Sequence, residues 1–174
     1  MAEARITDPG ALLATTHVAD GGLRVRLRLA RPSDGPRVRE FLQGGSGEPA
    51  PDTLVRRFVF GNPRERLVVA ATAPLDGSEE IVGLADVAFD RTAVGDLGVV
   101  VDERARNRGV GKLLTEAVAS LAIQHGVNRL RGELPQSEGP VRRLMERLGH
   151  TVEIVEDGAR VLYTRLPDAG YRAA

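Results

Sequence analysis

The sequence predicts a mixed α/β domain: a central, mostly antiparallel sheet with about four helices. Three observations predict it. Short stretches alternate apolar and polar residues, the period of half-buried strands, while others repeat apolar residues at helical spacing. The elements run β-α-α-β-β-β-α-β-α-β-β, which places consecutive strands side by side in the first half. The chain has 174 residues, a length that fits one domain and buries roughly 70 % of its unfolded surface.

Each element has its own signal. Residues 1–22 contain Pro9, Gly10, Gly21 and Gly22 without sustained periodicity and are expected to form a loosely ordered arm. Leu23 to Ala30 alternate Arg24, Arg26 and Arg28 with Val and Leu, a strand whose arginine face is solvated. Ser33 and Asp34 are placed to cap a helix through Phe41. Gly44 to Pro51 is a loop by composition, and a second helix covers Asp52 to Phe60. Arg66 to Ala73 and Glu80 to Phe89 are strands around the turn Leu75-Asp76-Gly77-Ser78, and a strand at Val94 to Val101 follows a turn near Arg91. The clearest helix runs from Gly109 to Gln124, with Leu113, Leu114, Ala117, Val118 and Leu121 at helical spacing and Gly126 as its stop. A strand at Asn128 to Leu134, a helix at Pro140 to Leu148 ended by Gly149, and strands at Thr151 to Val155 and Arg160 to Leu166 complete the domain. The domain is therefore expected to span 23–167, with 168–174 as a tail.

Composition narrows the function. The formal net charge is zero, which argues against a nucleic-acid binder held by phosphate neutralisation. There is no cysteine, so disulfides, thiolate metal sites and a cysteine nucleophile are excluded, and no metal site is expected. The N-terminus lacks an apolar signal core and no apolar run approaches membrane-spanning length. A cytoplasmic protein without a membrane partner is the default expectation.

The segment with the clearest chemistry is Val99-Val100-Val101-Asp102-Glu103-Arg104-Ala105-Arg106-Asn107-Arg108-Gly109-Val110-Gly111-Lys112-Leu113-Leu114. An apolar strand enters an Arg- and Gly-rich loop that opens directly into a helix. Unpaired amides and the positive dipole end of that helix form an anion cradle, which side chains at Gly109 and Gly111 would obstruct. A Walker loop would need glycine at Arg106 and Ser or Thr at Leu113; a dinucleotide fingerprint would need glycine at Leu114. Both fail. The competing reading is a tight strand-to-helix turn without a ligand.

Arg106 to Gly111 has the form Arg-x-x-Gly-x-Gly, between a Val-rich strand and a Leu-Leu helix. It resembles the coenzyme A pyrophosphate loop of the GNAT (GCN5-related) N-acetyltransferases. Arg147-Leu148-Gly149-His150, ending a helix about forty residues on, resembles the family's second signature. The element order matches from about Leu23 to Pro167. Within the family, Asp20-Gly21-Gly22, Leu29 to Asp34, Thr53 to Phe58, Gly83-Leu84-Ala85-Asp86 and Gly95 to Val101 are similar to the acetyltransferase domain of bacterial protein-lysine acetyltransferases.

The resemblance implies direct transfer of acetyl from acetyl-CoA, the acyl-donor co-substrate, to an amine acceptor, a protein lysine or a small molecule. Backbone groups of Val99 and Val101 would align the pantetheine arm. Amides of Arg106, Asn107, Arg108, Gly109, Val110, Gly111 and Lys112 would hold the pyrophosphate. Asp96 stands where the lysine acetyltransferases carry a glutamate base and is the candidate catalytic residue; Asp86 is the reserve, and a solvated strand carboxylate is the alternative for each. Glu138 stands where many members have Asn, and Met145 where many have a tyrosine acid; Tyr163 on the last strand is a substitute for that acid, with packing as its alternative role. His125 and His150 are expected to be structural. Domains of this family often dimerise, so a homodimer is among the expected assemblies. Two other functions stay open: acetylation of a small-molecule amine, and a catalytically inactive acyl-CoA sensor.

Overall fold

The computed structural model describes residues 8–44, 48–136 and 139–168. One eight-stranded sheet organises them. In chain order the strands are β1 (Thr16–Val18), β2 (Arg24–Leu29), β3 (Arg66–Leu75), β4 (Ser78–Phe89), β5 (Val94–Val101), β6 (Arg129–Glu133), β7 (Thr151–Glu156) and β8 (Ala159–Arg165). Across the sheet they lie β1-β2-β3-β4-β5-β6-β8-β7, and every neighbouring pair is antiparallel except β5 with β6. Five helices cover it: α1 (Pro9–Ala14), α2 (Gly35–Gln43), α3 (Asp52–Val59), α4 (Val110–Gln124) and α5 (Val141–Leu148).

The central strands are apolar on both faces because helices lie on both. Val69 and Ala71 of β3 join a core with Leu114 and Val118 of α4 and Met145 of α5, whereas Val68 and Ala70 join a second core with Val38 of α2 and Val55 and Phe58 of α3. Alternate residues thus enter opposite cores, as the strand period requires. The register of β3 on β4 shifts between Ala71 and Thr72, whose partners are Gly83 and Ile81. Val82 is the extra residue of this β-bulge, and beyond it Asp86 falls on the α3 face.

Two regions differ from the sequence expectation. Residues 9–18, expected in a loosely ordered arm, form α1 and β1; Asp8 caps α1, Leu12 is buried in the α4-side core, and β1 pairs with β2. Six- and three-residue elements are too short for periodicity to register. Asp34, expected as a helix cap, ends a 3-10 turn at Pro32–Asp34 and makes no cap bond to α2. Its oxygens instead accept from Arg28 Nη1 and Nη2, both at 2.7 Å, and from the Arg31 N–H at 2.7 Å. The Arg28 guanidinium first, then the Arg31 amide, holds the Asp34 carboxyl below its ordinary range against the opposing effect of burial.

Gly149 is needed for close approach. A Cβ there would stand 2.0 Å from the backbone oxygen of Arg165, and the Arg165 N–H donates to His150 O at 2.9 Å. The end of α5 is thereby laid directly on β8.

Gly149→Ala should destabilise the protein by about 1–3 kcal/mol, the range for forcing a methyl into a packed site, read as a lower midpoint in thermal unfolding. Asp34 has a depressed folded-state pKa, so its stabilisation is present above the ordinary carboxylate value and is lost as pH falls through the folded one. Urea titrations should therefore show wild type more stable than Asp34→Asn at pH 7, with the gap closing as the pH falls below about 4.

Candidate functional site

The site forms where the sheet divides. β5 and β6 pair in parallel at only three positions, Val94 with Arg129, Gly95 with Leu130 and Asp96 with Arg131. Beyond them β5 continues to Val101 along β4, while Gly132 and Glu133 of β6 follow β8. A cleft of about 190 Å³ opens between the two, lined by Leu97, Gly98, Val99, Glu133, Val141 and Leu144.

Backbone alternation decides what β5 presents to this cleft. The Asp102 N–H donates to Val82 O at 2.9 Å, toward β4. Residues 100 and 98 turn the same way, so the Leu97 carbonyl and the amides and carbonyls of Val99 and Val101 point to the edge that β6 has left. Val101 O accepts from Arg106 Nε at 3.3 Å, so the loop's own arginine occupies part of that edge.

The loop after β5 makes a 3-10 turn at Glu103–Ala105, then passes through Asn107 at φ 58° and Gly109 at φ 85° into α4. The left-handed conformation at Gly109 is one a Cβ disfavours. No cap side chain bonds the first turn of α4, and Leu113 N–H to Gly109 O, at 3.1 Å, is its first hydrogen bond of this kind. The amides of Val110, Gly111 and Lys112 precede it and have no intrahelical acceptor. A Cβ on Gly109 would meet nothing within 4 Å, whereas one on Gly111 would touch Leu144 at 3.5 Å. The Lys112 ammonium lies 3.9 Å from Glu116 and is half exposed. The N-terminal segment braces the loop, with Asp20 N–H donating to Arg108 O at 3.0 Å. The cradle residues named from sequence, Arg106 to Lys112, are thus contiguous with the open edge of Val99 and Val101.

Asp96 and Asp86 share the α3 face, since their partners across β4 and β5 are Ala88 and Gly98, but their surroundings differ. Asp96 is 62 % exposed, with one oxygen 3.2 Å from Arg131 Nη1. Asp86 is fully buried: Arg57 Nε and Nη2 each donate to it at 3.0 Å, and Arg66 Nη1 adds a third bond. Guanidinium groups reach both oxygens, an arrangement that favours an ion-pair anchor over a base. A Cβ on Gly98 would stand 2.4 Å from Asp86 Oδ1 and 2.9 Å from Arg57 Nη2. Glycine there admits this pair against β5. Arg57 and Arg66 were not predicted; the only signal for them was an acid flanked by apolar residues on a strand that proves buried on both faces.

The sequence profile of the Acetyltransferase (GNAT) family matches residues 36–150, which spans both α4 with its loop and the end of α5. The chain belongs to this family. It is accordingly an acyl-CoA-dependent N-acetyltransferase with acetyl-CoA as its co-substrate, and the open amides at the start of α4 fit an anionic pyrophosphate. The fold is similar to the GNAT domain of S. lividans PAT, at 19 % identity over 87 % of this chain and 96 % of that one, with a TM-score of 0.71. It is also similar to the ribosomal-protein-S18-alanine N-acetyltransferase from Escherichia coli, at 18 % identity, 86 % and 99 % coverage and a TM-score of 0.64. A cAMP-binding acyltransferase from Mycobacterium smegmatis aligns at 20 % identity and a TM-score of 0.63 over 94 % of this chain, which spans 51 % of that protein. No curated protein sequence matches.

This GNAT enzyme places its atypical positions distinctly. Met145 is fully buried, and a Cβ on Gly132 of β6 would meet its sulfur at 2.5 Å; the residue fills core. Glu138 lies outside the described residues. Tyr163 donates its hydroxyl hydrogen to Glu156 Oε1, an interaction that, with burial, raises its pKa above the ordinary tyrosine value. Among the described residues no helix is long and apolar enough to cross a membrane, and no group of three or more His, Cys, Asp or Glu could hold a metal.

Asp86→Ala should cost about 2–3 kcal/mol, at or just below the low end for breaking a buried ion pair because Arg57 and Arg66 keep access to water. Urea denaturation measures it, and Asp96→Ala, which removes an exposed carboxylate, should cost less than about 1 kcal/mol in the same assay.

Proposed function

We propose that the enzyme acetylates an amine displayed on a protein, a lysine side chain, with Asp96 as the general base. The observation that carries this reading is the openness of the acceptor side. Among the described residues α2 and α3 pack over β3 and β4, and Asp96 lies beyond them on β5, largely exposed. An open sheet face admits a side chain presented on a large partner.

Acetyl-CoA supplies an activated thioester carbonyl. The open edge of Val99 and Val101 aligns the pantetheine arm, and the amides from Arg106 through Asn107, Arg108, Gly109, Val110 and Gly111 to Lys112 hold the pyrophosphate. An acceptor lysine arrives mostly as the ammonium, with a pKa near ~10.4. Asp96 accepts its proton, directly or through one water, since aspartate is a short side chain. Nitrogen then bonds to the thioester carbon, the carbon–sulfur bond breaks with its electron pair leaving on sulfur, and the nitrogen releases its second proton to water to give the neutral amide. The N–H of Val99 stabilises the charge developing on the carbonyl oxygen. The thiolate takes its proton from water: Met145 carries none, and the Tyr163 proton is held by Glu156.

Calorimetric titration with acetyl-CoA, beside propionyl-CoA and free CoA, should give micromolar binding in wild type and in Asp96→Asn alike. Thiol release with poly-L-lysine as acceptor should fall at least about 100-fold in Asp96→Asn, the usual scale for losing a positioned base. Faster turnover of free small amines than of poly-L-lysine would move the assignment to the small-molecule class. Turnover unchanged by Asp96→Asn would remove Asp96 from the mechanism.

A further inference from the structure

Arg131 lies in one transverse row with Asp96 of β5 on one side and Tyr163 of β8 on the other. Its guanidinium serves three carboxylates unequally. Nε donates to Glu156 Oε2 at 3.0 Å, and Nη2 reaches a Glu156 carboxylate oxygen at 3.0 Å and Glu133 Oε1 at 3.3 Å. Only Nη1 reaches Asp96, at 3.2 Å from Oδ1. Glu156 is itself held by the Tyr163 hydroxyl. The guanidinium is therefore anchored from the β7–β8 side and extends one nitrogen toward Asp96. Asp96 Oδ2 has no hydrogen bond among the described residues.

We infer that Arg131 is a positioning residue for the transfer step: anchored by Glu156 and Glu133, it holds Asp96 Oδ1 in place and leaves Oδ2 as the oxygen that takes the acceptor's proton. This rests on the assignment of Asp96 as base. A side chain as exposed as Asp96 would otherwise sample several rotamers, and a base that wanders by an ångström loses much of its effect. The row supplies the restraint without enclosing the carboxylate. Around Arg131 stand three carboxylates, Asp96, Glu133 and Glu156, and Arg129 pairs with Arg165 in the next row of the same face. Toward β4 the nearest charges, Arg57 and Arg66, are already engaged by Asp86. Reading strand residues singly hides this group, because its members lie on β5, β6 and β7.

A double-mutant cycle tests the inference, with thiol release from acetyl-CoA and poly-L-lysine as the probe acceptor. Arg131→Gln should lower kcat about 10-fold with acetyl-CoA binding unchanged, and the Asp96→Asn/Arg131→Gln double variant should be no slower than Asp96→Asn alone. Glu156→Gln, which loosens the anchor but keeps Arg131, should show a smaller loss; it carries the test if Arg131→Gln fails to fold. An unchanged kcat in these variants, or a loss that multiplies fully with that of Asp96→Asn, overturns the role of Arg131 while leaving Asp96 as base. An Asp96→Asn enzyme of normal rate instead overturns the base assignment. One readout needs no acceptor: NMR scalar couplings should report a single χ1 rotamer for Asp96 in the wild type and averaging in Arg131→Gln. Averaging already present in the wild type overturns the inference.

Discussion

The short parallel register of β5 on β6 is the constraint on which the rest of the molecule depends. Three residue pairs hold the two halves of the sheet together, and past them every backbone group on one edge of β5 loses its strand partner. Unpaired amides and carbonyls away from water are costly, so the edge at Leu97, Val99 and Val101 must be wet or occupied. The protein meets this in part from its own loop, through Arg106 Nε on Val101 O. The remainder is a strip of oriented donors and acceptors beside the first turn of α4. A chain that kept β5 and β6 paired to their ends would have a more complete sheet and no such strip.

Holding the halves apart requires rigidity on both sides. On one side α4 and α5 pack Leu114, Val118, Met145 and Leu148 against the sheet as a single apolar core. The other side combines a smaller apolar core under α2 and α3 with the buried Asp86 carboxylate and its two arginines. That ion pair ties β3, β4 and α3 together at the level of Gly98, next to the open edge. The charges are arranged to leave little unsatisfied, and no buried side-chain nitrogen or oxygen among the described residues lacks a partner. Buried ions of this kind add modestly to stability relative to apolar packing, yet removing one partner is expensive.

Much of the fold could be read from the sequence because its signals are local. The α4 helix with its Gly109 start, the hairpin of β3 and β4, and the glycine after α5 are each set by residues within a few positions of one another. The proposed coenzyme loop is legible for the same reason: strand, loop and helix N-terminus are contiguous from Val99 to Lys112. α1 and β1 were not, being too short for periodicity and held in place by α4 and β2. Gly149 was read as a helix stop, whereas the structure adds a contact with the Arg165 carbonyl that belongs to a strand sixteen residues later.

The charged groups divide most sharply between what sequence and structure decide. Asp86 and Asp96 look alike in sequence, each a carboxylate on a strand near the motif. Only the tertiary structure separates them, because a carboxylate's role depends on which cations reach it, and Arg57, Arg66 and Arg131 come from other elements. By itself the sequence determined the layered α/β architecture and the family, and it supplied the segment proposed here as the phosphate cradle, since each is encoded in periodicity or in one contiguous segment. The parting of β5 from β6, the pairing of Asp86 with two arginines and the row Asp96–Arg131–Tyr163 were decided by packing and strand register, which bring together residues that no local pattern links.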